Sequence, residues 1–132
     1  MKGRFVAILA LAAVLTASCH DNNTGKTGTD ASQQASLPEQ GKAIFRQNCG
    51  TCHLKNAAAS GPAVAGVLGR WNNDTAHLKA FIQNPSKLIS EGFPAAVAAS
   101  KKANGALMTP WPNLSDAELN ALIAYMESPA VD

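Results

Sequence analysis

Apolar residues recur at helical spacing in several short stretches of the chain, and polar caps bound each stretch. In SLPEQGKAIFRQN, residues 36–48, Leu37, Gly41, Ile44, Phe45 and Asn48 fall on one side of a helix. Ser36, followed three residues later by Glu39, has capping-box spacing, and Pro38 suits a first turn. The same grammar returns near the end. SDAE at Ser115–Glu118 precedes an apolar stripe of Leu119, Leu122, Ile123 and Met126. Between these ends, NDTAHLKAFIQNP predicts a short helix that stops before Pro85. NPSKLIS predicts a second, capped by Asn84 with Pro85 in its first turn, and PAAVAASKKA a third. No segment alternates with the two-residue period of a strand. The pattern predicts a small all-α domain, residues 36–132, of about four to five short helices.

Upstream the pattern changes. Lys2 and Arg4 precede an apolar run from Phe5 to Leu15, and small residues follow, as in a secretory leader spanning residues 1–18. The run is short for a membrane span, and polar sequence follows it at once. Its end, LTASC, resembles a bacterial lipobox, which implies that Cys19 carries lipid and becomes the mature N-terminus. The segment HDNNTGKTGTDASQQA then holds almost nothing apolar, so residues 19–35 read as a lipidated cysteine followed by a flexible polar tether. As a random coil this tether spans roughly 20–25 Å.

Charge alters the picture by subtraction. The chain has 11 basic and 9 acidic residues, but the leader holds Lys2 and Arg4, so the mature chain is formally neutral. The basic balance belongs to the precursor and gives no reason to expect nucleic acid as a partner. Of three cysteines, Cys19 is accounted for by lipid, which leaves a pair. An exported chain with an unpaired thiol would be unusual.

That pair sits in QNCGTCHLK, residues 47–55, with His53 directly after Cys52. A redox dithiol of thioredoxin type usually opens a helix after a strand, and no strand is predicted here. A closed zinc site needs four ligands, and the spare candidates are His77 and carboxylates. A merely structural pair beside an accidental histidine is the bland alternative. Covalent haem attachment explains the spacing itself. Cysteines three positions apart reach the two vinyl groups of one porphyrin edge as thioethers, and the next residue, His53, is carried under the iron as proximal ligand.

A second axial ligand is sought among soft donors. Met126 belongs to the apolar stripe of the last helix and reads as core. Met108 lies instead in NGALMTPWPNLSD, a loop rich in Gly and Pro, and is the candidate sixth ligand. His77, within a helix three residues after Asp74, is the rival, with a surface or capping role as its alternative. His20 lies in the tether without an evident role.

Through GKAIFRQNCGTCH, GPAVAGVLGR and LMTPWPNLSDAELNALIAYM, the chain from about Pro38 onward resembles a class I monohaem cytochrome c. The resemblance implies one covalent haem c, a crossing of the first and last helices at Gly41 with Tyr125 as the aromatic partner, and a second-shell role for Pro62. In the family a proline carbonyl accepts the proximal histidine N–H, which would put the Pro62 carbonyl on His53. The stretch FIQNPSKLISEGFPAAVAASKKANG exceeds the family minimum and is expected to wrap one haem edge. Arg70 and Trp71 could donate to haem propionates, or serve as surface and core.

The resemblance implies an electron carrier and not an enzyme. With both axial positions filled by protein, the iron offers no open site, and no small-molecule substrate is expected. Cys19 would tether the domain to a membrane, facing the periplasm or cell exterior, beside respiratory donors and acceptors. A pathway from a quinol-oxidising complex to a terminal oxidase is one example, with the domain free or a subunit of such a complex. The alternative is a haem enzyme or gas-binding, peroxidase-like protein, which requires Met108 not to be a stable ligand.

Overall fold

The structure is a computed structural model and describes residues 35–129. The leader, Cys19 and the tether up to residue 34 lie outside the described residues. Among the described residues there are six helices and no strand. They are α1 (Leu37–Asn48), α2 (Val67–Arg70), α3 (Thr75–Gln83), α4 (Pro85–Ser90), α5 (Pro94–Lys102) and α6 (Asp116–Glu127).

The helix starts follow their caps. The Ser36 N–H donates to the Glu39 carboxylate at 3.2 Å. Asp74 accepts the His77 N–H at 3.0 Å at the start of α3, and Asn84 accepts the Lys87 N–H at 3.2 Å at the start of α4. At α6 the bonding is reciprocal: Ser115 N–H donates to the Glu118 carboxylate at 2.8 Å, and Glu118 N–H donates to the Ser115 hydroxyl at 3.3 Å. Each interaction satisfies a first-turn donor that has no partner inside the helix. The helix the periodicity did not predict is α2. A single turn of four residues is too short to display a 3.6-residue repeat.

The frame of the domain is the crossing of α1 and α6. A Cβ on Gly41 would overlap the carbonyl oxygen of Ala121 and come within 2.9 Å of the Tyr125 Cβ, so the two backbones touch where the side chain is missing. One turn further along, Phe45 packs on Tyr125 with ring centroids 5.2 Å apart. Leu119, Leu122, Ile123 and Met126 are buried, as the stripe predicts. Leu37 departs from its expected place on the inner face. It lies a turn before the crossing and is 53% exposed. Lys79 on α3 pairs with Asp116 in the first turn of α6, which joins the middle of the domain to this frame.

Candidate functional site

The end of α1 builds the motif. The N–H groups of Cys49 and Gly50 both reach the Phe45 carbonyl at 2.8 Å, which tightens the last turn. The N–H groups of Cys52 and His53 then fold back to the Cys49 carbonyl at 3.1 and 2.9 Å. One compact turn thereby brings Cys49, Cys52 and His53 to the wall of a single cavity. Cys49 is partly buried, and that burial pushes its thiol up to about 11. A redox dithiol needs the opposite, a thiolate favoured near neutral pH. A zinc site lacks its ligands too: among the described residues no group of three or more His, Cys, Asp or Glu side chains is arranged to hold one metal ion.

The imidazole of His53 is held from behind. Its Nδ1 is 2.8 Å from the carbonyl oxygen of Pro62. A carbonyl only accepts, so Nδ1 carries a proton, and in the neutral ring Nε2 is then the nitrogen with the lone pair. The chain passes so close here that a Cβ on Gly61 would lie 2.5 Å from Cε1 and 2.7 Å from Nδ1. The Gly61 N–H is itself fixed on the Cys52 carbonyl at 2.7 Å.

The loop that carries Pro62 is tied down on both sides. Arg70 donates to the carbonyls of Ala63 at 3.0 Å, Ala65 at 2.7 Å and Gly66 at 3.2 Å. The Lys55 carbonyl accepts the N–H groups of Val64 and Ala65 at 3.1 and 2.8 Å. The Lys55 ammonium reaches the Ser128 hydroxyl at 2.7 Å and lies 4.6 Å from the centre of the Tyr125 ring. Three of the five guanidinium donor positions of Arg70 have backbone partners nearby, so its role in the fold is a clamp on this loop.

The cavity measures about 720 Å³ and its lining is predominantly apolar. That is within the range of pockets that enclose a small-molecule cofactor, about 300–1,000 Å³. Cys49, Cys52 and His53 contribute one part of its wall, and Met108 lines it as well. Trp71, Phe81 and Trp111 add aromatic surface. The long segment before Met108 supplies the alanines Ala95, Ala98 and Ala99 of α5, whose short side chains leave room beside the helix backbone.

Of the candidate residues, Cys49, Cys52, His53, Pro62, Arg70, Trp71 and Met108 all border this cavity. Trp71 is only 4% exposed and belongs to the core. Met126 also touches the cavity, but it is buried among the packed residues of α6. His77 is not part of the lining. Its Nδ1 bonds the Asp74 carboxylate at 2.6 Å and its ring stacks on Phe93. Gly61, Phe81 and Trp111 were not singled out by the sequence as site residues. Trp111 stands between two prolines in a stretch that reads as loop, yet its backbone N–H bonds the Ile82 carbonyl at 3.1 Å and turns that loop onto α3.

Two thiols on the wall, an imidazole with its tautomer fixed and a thioether within one apolar cavity match the donor set of a covalently bound haem. A model of the cytochrome c family matches residues 38–129.

The chain belongs to the cytochrome c family.

Its fold is shared with a solved structure, a cytochrome c from Rhodothermus marinus. The two are 23% identical with a TM-score of 0.58, over 78% of this chain and 86% of that one. As a class I monohaem cytochrome c, the chain takes haem c as its cofactor, and its family function is haem-based electron transfer. Among the described residues of this cytochrome c, no helix is long and apolar enough to cross a membrane.

Proposed function

We propose that this cytochrome c is a membrane-tethered carrier of single electrons between respiratory components. The observation that supports it most is the shared cavity of His53 and Met108, with Cys49 and Cys52 on the same wall. In this reading Cys49 and Cys52 form the thioethers, and His53 and Met108 are the axial ligands. When bound, the haem supplies a one-electron couple between ferric and ferrous iron.

The chain's own residues then have limited tasks. Pro62 fixes the imidazole tautomer of His53 and makes Nε2 a better donor. Gly61 leaves the ring its place, and Arg70 holds the loop behind it. Trp71, Phe81, Trp111 and the α5 alanines exclude water, which together with the thioether of Met108 favours a raised potential. Residues 1–18 act as an export signal, Cys19 carries the lipid, residues 20–35 act as tether and residues 36–132 form the haem domain at the periplasmic or outer surface. Its partners are a respiratory donor, such as a quinol-oxidising complex, and an acceptor, such as a terminal oxidase. It works either as a mobile carrier or as a subunit of such a complex.

A reductive titration with spectra in both redox states tests the carrier role. One electron per chain and a six-coordinate low-spin iron throughout are expected. A ferrous form that takes up carbon monoxide at once would instead favour a gas-binding or peroxidase-like haem protein. Membrane fractionation tests the tether. Cys19→Ala is expected to release the domain without changing its visible spectrum, and a variant that still pellets with membranes in high salt would contradict lipid anchoring.

A further inference from the structure

A file of stacked rings runs from the surface of α3 to the cavity wall. The side chain of His77 is 50% exposed. Its ring lies 4.3 Å from that of Phe93, centroid to centroid, with 13° between the planes. Phe93, just ahead of α5, lies 5.7 Å from Trp71 with 21° between the planes. Trp71 is buried and lines the cavity. Asp74 occupies Nδ1 of His77 at 2.6 Å, which holds the imidazole in its stack and leaves Nε2 as the free nitrogen.

A second aromatic pair, Phe45 and Tyr125, also reaches the cavity, but its rings are tilted by 51° and the Lys55 ammonium covers its outer member. Among the described residues, only the His77 file combines near-parallel rings with an exposed outer end. Electronic coupling through a protein falls more slowly along atoms in van der Waals contact than across gaps, and face-to-face π systems overlap best. The stack sets its rings 4.3 and 5.7 Å apart, centroid to centroid, with near-parallel planes.

We propose that His77, Phe93 and Trp71 form an electron port, by which a redox partner at the α3 surface exchanges one electron with the haem site. This inference rests on the reading of the cavity as the haem site. The donor loses one electron and the iron gains it, and no proton or atom is exchanged. Phe93 is the link to test, because its ring stacks on both the surface ring and the buried one.

The test uses the full-length holoprotein with His20→Gln, so that His77 is the histidine free to take a ruthenium bis-bipyridine label through Nε2. Flash photolysis then reads the rate of electron transfer from the label to ferric iron. The rate is expected to fall several-fold in Phe93→Leu and to stay at the parent value in Phe93→Tyr, which keeps the ring. Phe93→Met supplies the same comparison if the leucine variant does not fold. The visible spectrum and midpoint potential are expected to match the parent in each folded variant. Equal rates in the leucine, methionine and tyrosine variants would overturn the port, and so would an equal loss in all of them. Absence of covalent haem in the parent protein would overturn the haem reading instead.

Discussion

Nδ1 of His53 stands 2.8 Å from the carbonyl oxygen of Pro62, and Gly61, the residue before that proline, is the point where the chain crosses the imidazole. These two facts act together. The carbonyl fixes which nitrogen can bind a metal, and the missing side chain lets the ring keep the position in which that bond forms.

Gly61→Ala therefore tests the backing of the ligand. Its Cβ would lie 2.5 Å from Cε1 of His53, so the imidazole must tilt away from Pro62. Overpacking of this kind costs about 1–3 kcal/mol. In a domain of this size each kcal/mol lowers the melting temperature by roughly 4–8 °C. Thermal melting and redox titration of the holoprotein are expected to show a lower midpoint in both. Wild-type values would mean that the loop yields without disturbing His53.

The cavity also makes the cofactor a structural element. The cavity of about 720 Å³ has a predominantly apolar lining, and without the cofactor that lining meets water in place of a packed partner. The helices around it have 4 to 12 residues, lengths at which isolated helices are marginal in water. Cys49→Ala combined with Cys52→Ala blocks attachment and is expected to give a largely unfolded, protease-sensitive chain. Circular dichroism showing full helix content and a cooperative melt would contradict this.

Acid should loosen the helix starts. The His77 N–H on its carboxylate holds Asp74 below its ordinary range, the Lys79 hydrogen bond does the same for Asp116, and Ser115 does so for Glu118. A carboxylate with a depressed folded pKa stabilises the fold above its unfolded value, about 3.9 for Asp and 4.3 for Glu, and loses that contribution as pH falls through the folded one. The melting temperature is expected to be level from neutral pH to about 5 and to decline below that. Asp74→Asn with Glu118→Gln keeps both caps but removes two of the titrations, so the decline should be shallower. An unchanged slope would place the acid sensitivity elsewhere.

Legibility in the sequence followed the range of the interactions involved. Caps such as Ser36 with Glu39 and Ser115 with Glu118 act within three residues, so α1 and α6 could be read from their first turns. The spacing of Cys49, Cys52 and His53 is equally local. Met108 was separable from Met126 because one lies in a Gly- and Pro-rich loop and the other in an apolar helical stripe, although both border the cavity. Arg70 was not legible in this way. Its carbonyl partners at Ala63, Ala65 and Gly66 are fixed by the path of an irregular loop. Trp111 carried no periodic signal between its prolines, and Leu107, apolar in sequence, is 68% exposed where it borders the cavity.

In the proposed reading, His53 and Met108 ligate the iron of a haem held by Cys49 and Cys52. Attachment depends on the cysteines, whereas the potential depends on the axial thioether. The direct measurement is the ferric near-infrared spectrum, where a sulfur-to-iron band reports methionine ligation, recorded for the wild type, Met108→Ala and Met126→Leu. The band is expected in the wild type and in Met126→Leu. In Met108→Ala it should vanish while the haem stays covalently bound and the potential drops. A band that persists in Met108→Ala, or disappears in a folded Met126→Leu, would contradict the assignment.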